Sequence, residues 1–467
     1  MKGRDYMLKR ITASVCCLCL FFSCFTTFAS ALNGLPDFTV SQDDWNANWN
    51  ETGNVNTNVC LTPGSDATML NFAWHCALDA GTPAVKLSKS ADMSNPAVFN
   101  GTTTPADEGY RTCRVTATGI ETNTVYYYTY GTDDLIYGPF VTRTLGTDSF
   151  KFLYVNDMHQ GYDANNIAYG RDTSYNIHTR FNTALTKNPD ISFILSGGDT
   201  VRSGYVPGEW NALLASPVFR SVPVAFAIGN HDKIGDMMKN YINNPNAFDA
   251  ALPSETGTDY WFRYGSALFL VFDSTNGNAA EHIRFAKEAV NKNLDAKWRI
   301  GMLHHDIYTP AYPIMLPAHV EFTPIADMAS LDVMLRGHSH IYGRSHHMEK
   351  GMIVKLAFNK ENTNPKGTVY ISMNAFQNET VSDFKFQNIW TAKRVYDTAA
   401  TYSTFEVNGD KLIFKAFSPA GELKDEYTII KTVTQTEKFK ELGLLNLYSV
   451  VKLIGYIYAL FDYNIDS

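Results

Sequence analysis

The chain has 467 residues, 45% of them apolar and 13% aromatic, enough for two or three domains with substantial cores, which excludes a disordered chain. The formal net charge is -8 and no Lys/Arg cluster stands out, so no nucleic acid is expected as a partner. The sequence has no repeat or series of long apolar spans, which excludes collagen, coiled-coil and polytopic membrane classes.

Residues 1–31 read as an export signal. Lys2, Arg4, Lys9 and Arg10 precede an apolar run from Ile11 to Phe28, and Ala29-Ser30-Ala31 is a small-x-small cleavage pattern. Cleavage there removes a net +3 and leaves a mature chain of net charge -11 that starts at Leu32. A competing reading makes Cys24 a lipid-bearing N-terminus, although Phe21 and Phe22 fit the motif before it poorly. Four of the seven cysteines fall in the signal, leaving Cys60, Cys76 and Cys113 without any Cys-x-x-Cys spacing. That argues against a zinc knuckle and for one disulfide with one leftover thiol in an oxidising compartment.

Residues 32–54, rich in Asn, Asp and Gly, are expected to form an extended leader or a first edge strand. Residues 55–146 hold short strand-like runs separated by turn signals, the pattern of an all-β sandwich. Leu70, Phe72 and Trp74 share one face by alternation. Tyr126, after Gly119-Ile120-Glu121-Thr122-Asn123-Thr124, resembles the tyrosine corner of fibronectin type III domains. In a fibronectin-like topology the strands bearing Cys76 and Cys113 are neighbours, which implies a Cys76–Cys113 disulfide with Cys60 free.

Across residues 147–431 the texture changes. Apolar runs of strand length, such as Phe150–Asn156, Ile191–Ser196, Val222–Ile228, Ala267–Phe272, Arg299–Leu303 and Val333–Leu335, alternate with helical or looped stretches. Such runs suggest strands buried on both faces under helices. Residues 432–467 form a mostly apolar tail, with Lys452 near the middle of Leu442–Phe461. This makes a poor spanning helix. The tail is expected to dock on the domain as an amphipathic helix or to associate with a membrane or cell surface.

Function is concentrated at the ends of the buried runs. These lead into Asp157-Met158-His159, Gly197-Gly198-Asp199, Gly229-Asn230-His231-Asp232, His304-His305-Asp306 and Gly337-His338-Ser339-His340. The carboxyl ends of strands are where α/β sheets bind ligands. Imidazole and carboxylate groups without thiolates suit a pair of borderline divalent ions, Zn, Mn or Fe. Such a pair attracts phosphate and stabilises the charge of a phosphoryl transition state.

The order Asp-x-His, Gly-Asp, Gly-Asn-His-Asp, His, Gly-His-x-His resembles the calcineurin-like metallophosphoesterase superfamily. With a fibronectin-like domain before it, the chain is similar to purple-acid-phosphatase-like enzymes. The resemblance implies a four-layer α/β/β/α sandwich with metals at the strand ends. It implies that Asp157, His159, Asp199 and His340 hold one ion. Asp199 would bridge to a second ion held with Asn230, His304 and His338, the first His of the 304–305 pair being the ligand. His231 would be the general acid, with Asp232 orienting its ring, while a metal-bound hydroxide attacks phosphorus.

Two departures matter: the tyrosine ligand of true purple acid phosphatases is replaced by Arg202, and their first motif lacks a metal-binding His where this chain has His159, so neither purple colour nor an obligatory ferric ion is expected. Arg202, His305, Tyr308 and Arg344 are candidate substrate contacts, with His346 and His347 beside them. His75, His178, His282 and His319 lack such context and read as structural or solvent-exposed. The expected activity is hydrolysis of small phosphate esters, most simply monoesters, by an exported enzyme. Its alternatives are a phosphodiesterase or nucleotide hydrolase on the same core, or a surface-binding protein with a non-catalytic scaffold.

Overall fold

The computed structural model describes residues 34–440, apart from 54, 107–108, 134, 162, 164, 251–257, 311–315, 378–386 and 434–437. The export signal with Cys24, and the apolar tail beyond residue 440, lie outside the described residues.

Residues 60–143 form two four-stranded antiparallel sheets. Cys60–Pro63, Met69–Ala77, Tyr110–Thr118 and Thr102–Pro105 make one. Ala97–Asn100, Pro83–Ser88, Val125–Thr132 and Leu135–Arg143 make the other. Alternation puts Leu70, Phe72 and Trp74 of the first against Tyr126, Tyr128 and Tyr130 of the second in one apolar core. The Glu121 backbone N–H donates to the Tyr126 hydroxyl at 2.9 Å, pinning the corner before that strand.

Two expectations need correction in this half. The Cys76–Cys113 disulfide is not formed. Cys113 lies opposite Trp74 and Cys76 opposite Arg111, so the cysteines are diagonal neighbours. Their sulfurs stand 2.8 Å apart as free thiols, whereas a disulfide bond is about 2.05 Å long. Residues 42–52 are not an extended leader but a helix, Gln42–Thr52. Ser41 caps it by accepting from the Asp44 N–H, and Asp43 and Asp44 occupy its first turn. Trp45 and Trp49, one turn apart, bury against Ala212 and Ala215. That tertiary contact outweighs the poor helix propensity of the Asn residues.

The rest of the chain is a four-layer α/β/β/α sandwich. One sheet runs Val224–Phe226, Ile191–Ser196, Ser149–Val155, Tyr402–Asn408, Lys411–Phe417, Leu423–Ile430 and Glu361–Thr363. The other runs Tyr260–Tyr264, Ala267–Val271, Trp298–Met302, Val333–Arg336, Thr368–Ser372, Gly343–Glu349 and Met352–Lys355, with Thr391–Arg394 beside Gly343–Glu349. A core of Phe152, Phe193, Phe269, Ile300, Leu335, Phe405 and their neighbours fills the space between the sheets. The helices Ile167–Lys187 and Pro207–Leu214 cover one outer face, and Ala279–Lys292 and Leu316–Ala329 cover the other. Strands buried on both faces explain the continuous apolar runs of the sequence.

The ligand-bearing strands are parallel within each sheet. Ser149–Val155, Ile191–Ser196 and Val224–Phe226 deliver their carboxyl ends from one sheet, and Trp298–Met302 and Val333–Arg336 from the other. The candidate site therefore lies across the edge where the two sheets meet.

Candidate metal centre

Past the strand ends the backbone keeps pairing. The N–H groups of Asp157 and His159 donate to the carbonyls of Gly198 and Asp199 at 3.0 and 2.9 Å, which locks these two turns together. The turns are strained: Asp157, His159, Asp199, His338 and His340 all have φ between +45° and +71°. Non-glycine residues adopt this left-handed region uncommonly, and such strain clusters at functional sites. Close backbone approach completes the arrangement. A Cβ on Gly229 would lie 2.1 Å from Asp199 Oδ1, and one on Gly337 2.5 Å from Asp157 Oδ2.

Three overlapping groups of side chains, Asp157–His159–His340, His159–Asp199–His231 and Asp199–His304–His338, each bring their ligand atoms within 4.8 Å of one another. His159 Nε2 lies 3.1 Å from His340 Nε2, which lies 3.2 Å from Asp157 Oδ1. On the other side of Asp199, His304 Nε2 is 3.1 Å from Asp199 Oδ2 and 3.0 Å from Asn230 Oδ1. His338 Nδ1 is 3.1 Å from the same Asn230 oxygen and 3.2 Å from His304 Nε2. All seven expected ligands are thus brought together, with Asp199 common to two of the groups.

The donor set fits cations. Asp157 Oδ1 is buried without a hydrogen bond. Its other oxygen accepts from the His338 N–H at 3.0 Å and from the Asn156 side chain. His304 Nδ1 faces the Gly197 carbonyl at 3.0 Å, which makes Nδ1 a proton carrier and turns Nε2 toward the oxygens of Asp199 and Asn230. Burial pushes the His304 pKa down, but Asp199 and Asp157 pull it up to about 9. Burial also opposes ionisation of Asp157, yet His340 and His304 hold its pKa below the usual carboxylate range. Against its burial, His340 is likewise pushed up by Asp157, whereas burial pushes the pKa values of His159 and His338 down.

His231 Nδ1 lies 2.6 Å from the Arg202 carbonyl, which leaves Nε2 free to meet a substrate oxygen. Its ring stands edge-on to His159 with centroids 4.8 Å apart. The role expected for Asp232 is corrected. Its buried carboxylate accepts from the backbone N–H groups of Thr200, Val201 and Gly229, at 2.9, 3.1 and 3.0 Å, and ties the Asp199 turn to the Asn230 turn. The imidazole of His231 is held by the Arg202 carbonyl instead.

The candidate substrate contacts divide. His305 reaches the centre, its ring 4.8 Å from that of His338. The exposed Arg202 side chain donates to the Tyr169 hydroxyl at 3.2 Å. Tyr308 is corrected: it packs in the core against Tyr370 and Trp390. Arg344 is corrected too. It is buried, paired with Asp425 at 2.7 Å and stacked over Tyr427. His346 and His347 are likewise occupied, the first accepting from the Ala357 N–H and the second meeting the Tyr427 hydroxyl. His75, His178 and His319 each meet a backbone carbonyl, and His282 pairs with buried Asp259.

The sequence reading missed Ser274. Its hydroxyl oxygen accepts from the N–H groups of His304 and His305 at 3.2 and 3.1 Å and meets His305 Nδ1 at 2.9 Å. The signal was available, since Asp273-Ser274 comes directly after the buried run Ala267–Phe272, as the other site turns come after theirs.

Residues 150–342 match the family model of the calcineurin-like phosphoesterases. Among solved structures, purple acid phosphatase PPD1 isolated from yellow lupin (Lupinus luteus) seeds superimposes with a TM-score of 0.67 at 13% identity, over 81% of this chain and 75% of that one. PhoD superimposes with a TM-score of 0.56 at 10% identity, over 87% and 99% of the respective chains. At such identities the likeness is one of fold. No curated protein matches the chain.

Proposed function

We propose that this chain, a calcineurin-like phosphoesterase over residues 150–342, is an exported hydrolase of small phosphate esters, with monoesters the preferred class. The reading rests on one observation above the others: ligand atoms from five strand ends converge in three overlapping groups around Asp199 and His159. Asp157, His159, Asp199 and His340 would hold one divalent ion, and Asp199, Asn230, His304 and His338 a second. When bound, the pair would supply an activated water and neutralise the phosphoryl oxygens.

The chain's own residues would do the rest. With Nδ1 held at the Arg202 carbonyl, His231 presents Nε2–H to the leaving oxygen and gives up its proton as the P–O bond breaks. Arg202 would hold that imidazole through its carbonyl, while its guanidinium donates to the Tyr169 hydroxyl. His305, steadied by Ser274, faces the same space. The tail beyond Lys440 is the second candidate for attachment to a cell surface, after export itself.

The test is metal content together with hydrolysis of p-nitrophenyl phosphate and bis(p-nitrophenyl) phosphate, before and after chelation and with Zn, Mn or Fe restored. Metal-dependent turnover favouring the monoester is expected. Turnover of the diester alone would make the chain a phosphodiesterase. Failure to bind metal or to turn over either ester would favour the non-catalytic scaffold.

A further inference from the structure

The strands Gly343–Glu349 and Met352–Lys355 form an edge hairpin, with Glu349 opposite Met352. Its two-residue turn has Lys350 and Gly351 both at positive φ, 52° and 75°, the geometry of a type I′ turn. All four residues of Met352–Lys355 are exposed, on both faces of the ribbon, and among the described residues that strand pairs only with Gly343–Glu349. Exposure continues beyond it: Met352 is 68% exposed, Leu356 54% and Phe358 68%, with Ile353 and Val354 also open. A soluble surface rarely gathers five large apolar side chains within seven positions.

The charge within the segment has one sign, with Glu349 and Glu361 standing at its two ends. Lys350, Lys355 and Lys360 punctuate the segment 350–360, which contains no carboxylate. At its base lies a cleft of about 300 Å³ lined by Phe358, Lys360, Lys393 and Lys424. Most charges on its wall are paired, Asp425 with Arg344, Glu426 with Lys360 and Lys415, and Lys424 with Asp397 and Glu422. The Lys440 N–H donates to the Met328 carbonyl, and the Lys350 N–H donates to the carboxylate of the adjacent Asp327.

We propose that the segment Lys350–Lys360 is a contact surface for an anionic lipid bilayer. Met352, Val354, Leu356 and Phe358 enter the headgroup boundary, while Lys350, Lys355 and Lys393 meet lipid phosphates. Apolar burial and attraction to anionic headgroups act together in such binding. The site is separate from the candidate metal centre and does not depend on the hydrolase reading.

The experiment uses the full mature chain with vesicles of phosphatidylcholine alone or mixed with phosphatidylglycerol. Co-sedimentation is expected with the anionic vesicles and should weaken as salt rises. The triple variant Met352→Ser, Leu356→Ser, Phe358→Ser should lose at least about tenfold in partitioning while keeping wild-type thermal stability and metal content. Hydrogen exchange at residues 350–360 should be fast in solution and slow on anionic vesicles. Sedimentation unaffected by the triple variant would assign binding to the tail and overturn the proposal. Exchange already slow without vesicles would mean that the tail or a second copy covers the hairpin, which also overturns it, as would failure to sediment at all.

Discussion

Replacing Gly229 by alanine should disable the metal centre without unfolding the chain. The backbone there has φ -100°, which any residue adopts, so the change acts through space alone. The added Cβ would stand 2.1 Å from Asp199 Oδ1 and 2.2 Å from the Asp199 backbone nitrogen. Ordinary contact needs roughly 3.4 Å, so the shared carboxylate or the Asn230 turn must yield by about 1 Å. A misplacement of that size costs on the order of 100-fold in rate, and the same movement pulls Asp199 away from His304. Purified Gly229→Ala would be compared with wild type for bound metal, for p-nitrophenyl phosphate hydrolysis and for urea unfolding. Gly277→Ala serves as control, since nothing lies within 4 Å of a Cβ at that position. A Gly229→Ala protein with its full metal complement and activity within threefold of wild type would refute the packing argument.

His231→Ala should lower turnover by about 10²- to 10⁴-fold with metal content unchanged; loss of metal would reassign that imidazole to the ligands. Asp232→Ala strands three backbone N–H groups and should cost roughly 3–5 kcal/mol in urea unfolding, whereas a loss under 1 kcal/mol would show that the turns hold without it. His178 is buried between the Phe38 carbonyl and Ser216, stacked on Trp45, and burial pushes its pKa down to about 4. The folded state thus binds fewer protons than the unfolded one. The resulting stability is present above pH 6.5 and is lost as pH falls toward 4, up to about 3 kcal/mol. His178→Gln should flatten that acid limb, and an unchanged slope in unfolding across pH 7 to 4.5 would count against it. With Arg202 in place of a tyrosine, the metal-loaded protein should show no visible charge-transfer band.

The sequence was most legible where chemistry depends on strand ends. Buried runs such as Phe152–Val155 and Val333–Leu335 announced parallel strands, and the Asp, Asn and His residues just past them converge on one edge because parallel strands deliver their carboxyl ends together. Contacts carried by the backbone were illegible. That a carbonyl of Arg202, and not the neighbouring carboxylate of Asp232, holds His231 is decided by how two turns pack, and no side-chain pattern encodes it. Arg344 looked available because it comes soon after a histidine motif, but Asp425, 81 residues later, claims it. The Gln42–Thr52 helix was hidden by composition: its Asn-rich face gives little periodicity, and the pair Trp45 and Trp49 was its one clear mark.

The seam position of the ligands has a consequence for assembly. Asp157, Asp199 and Asn230 come from one sheet, His304 and His338 from the other, so any ion held between them acts as a clasp on two halves that otherwise adhere through aromatic packing. A nascent chain cannot offer such a clasp until both sheets have closed. Capture of the ions would therefore be a late event, one that latches a finished scaffold and leaves the loaded protein slower to open than the bare one.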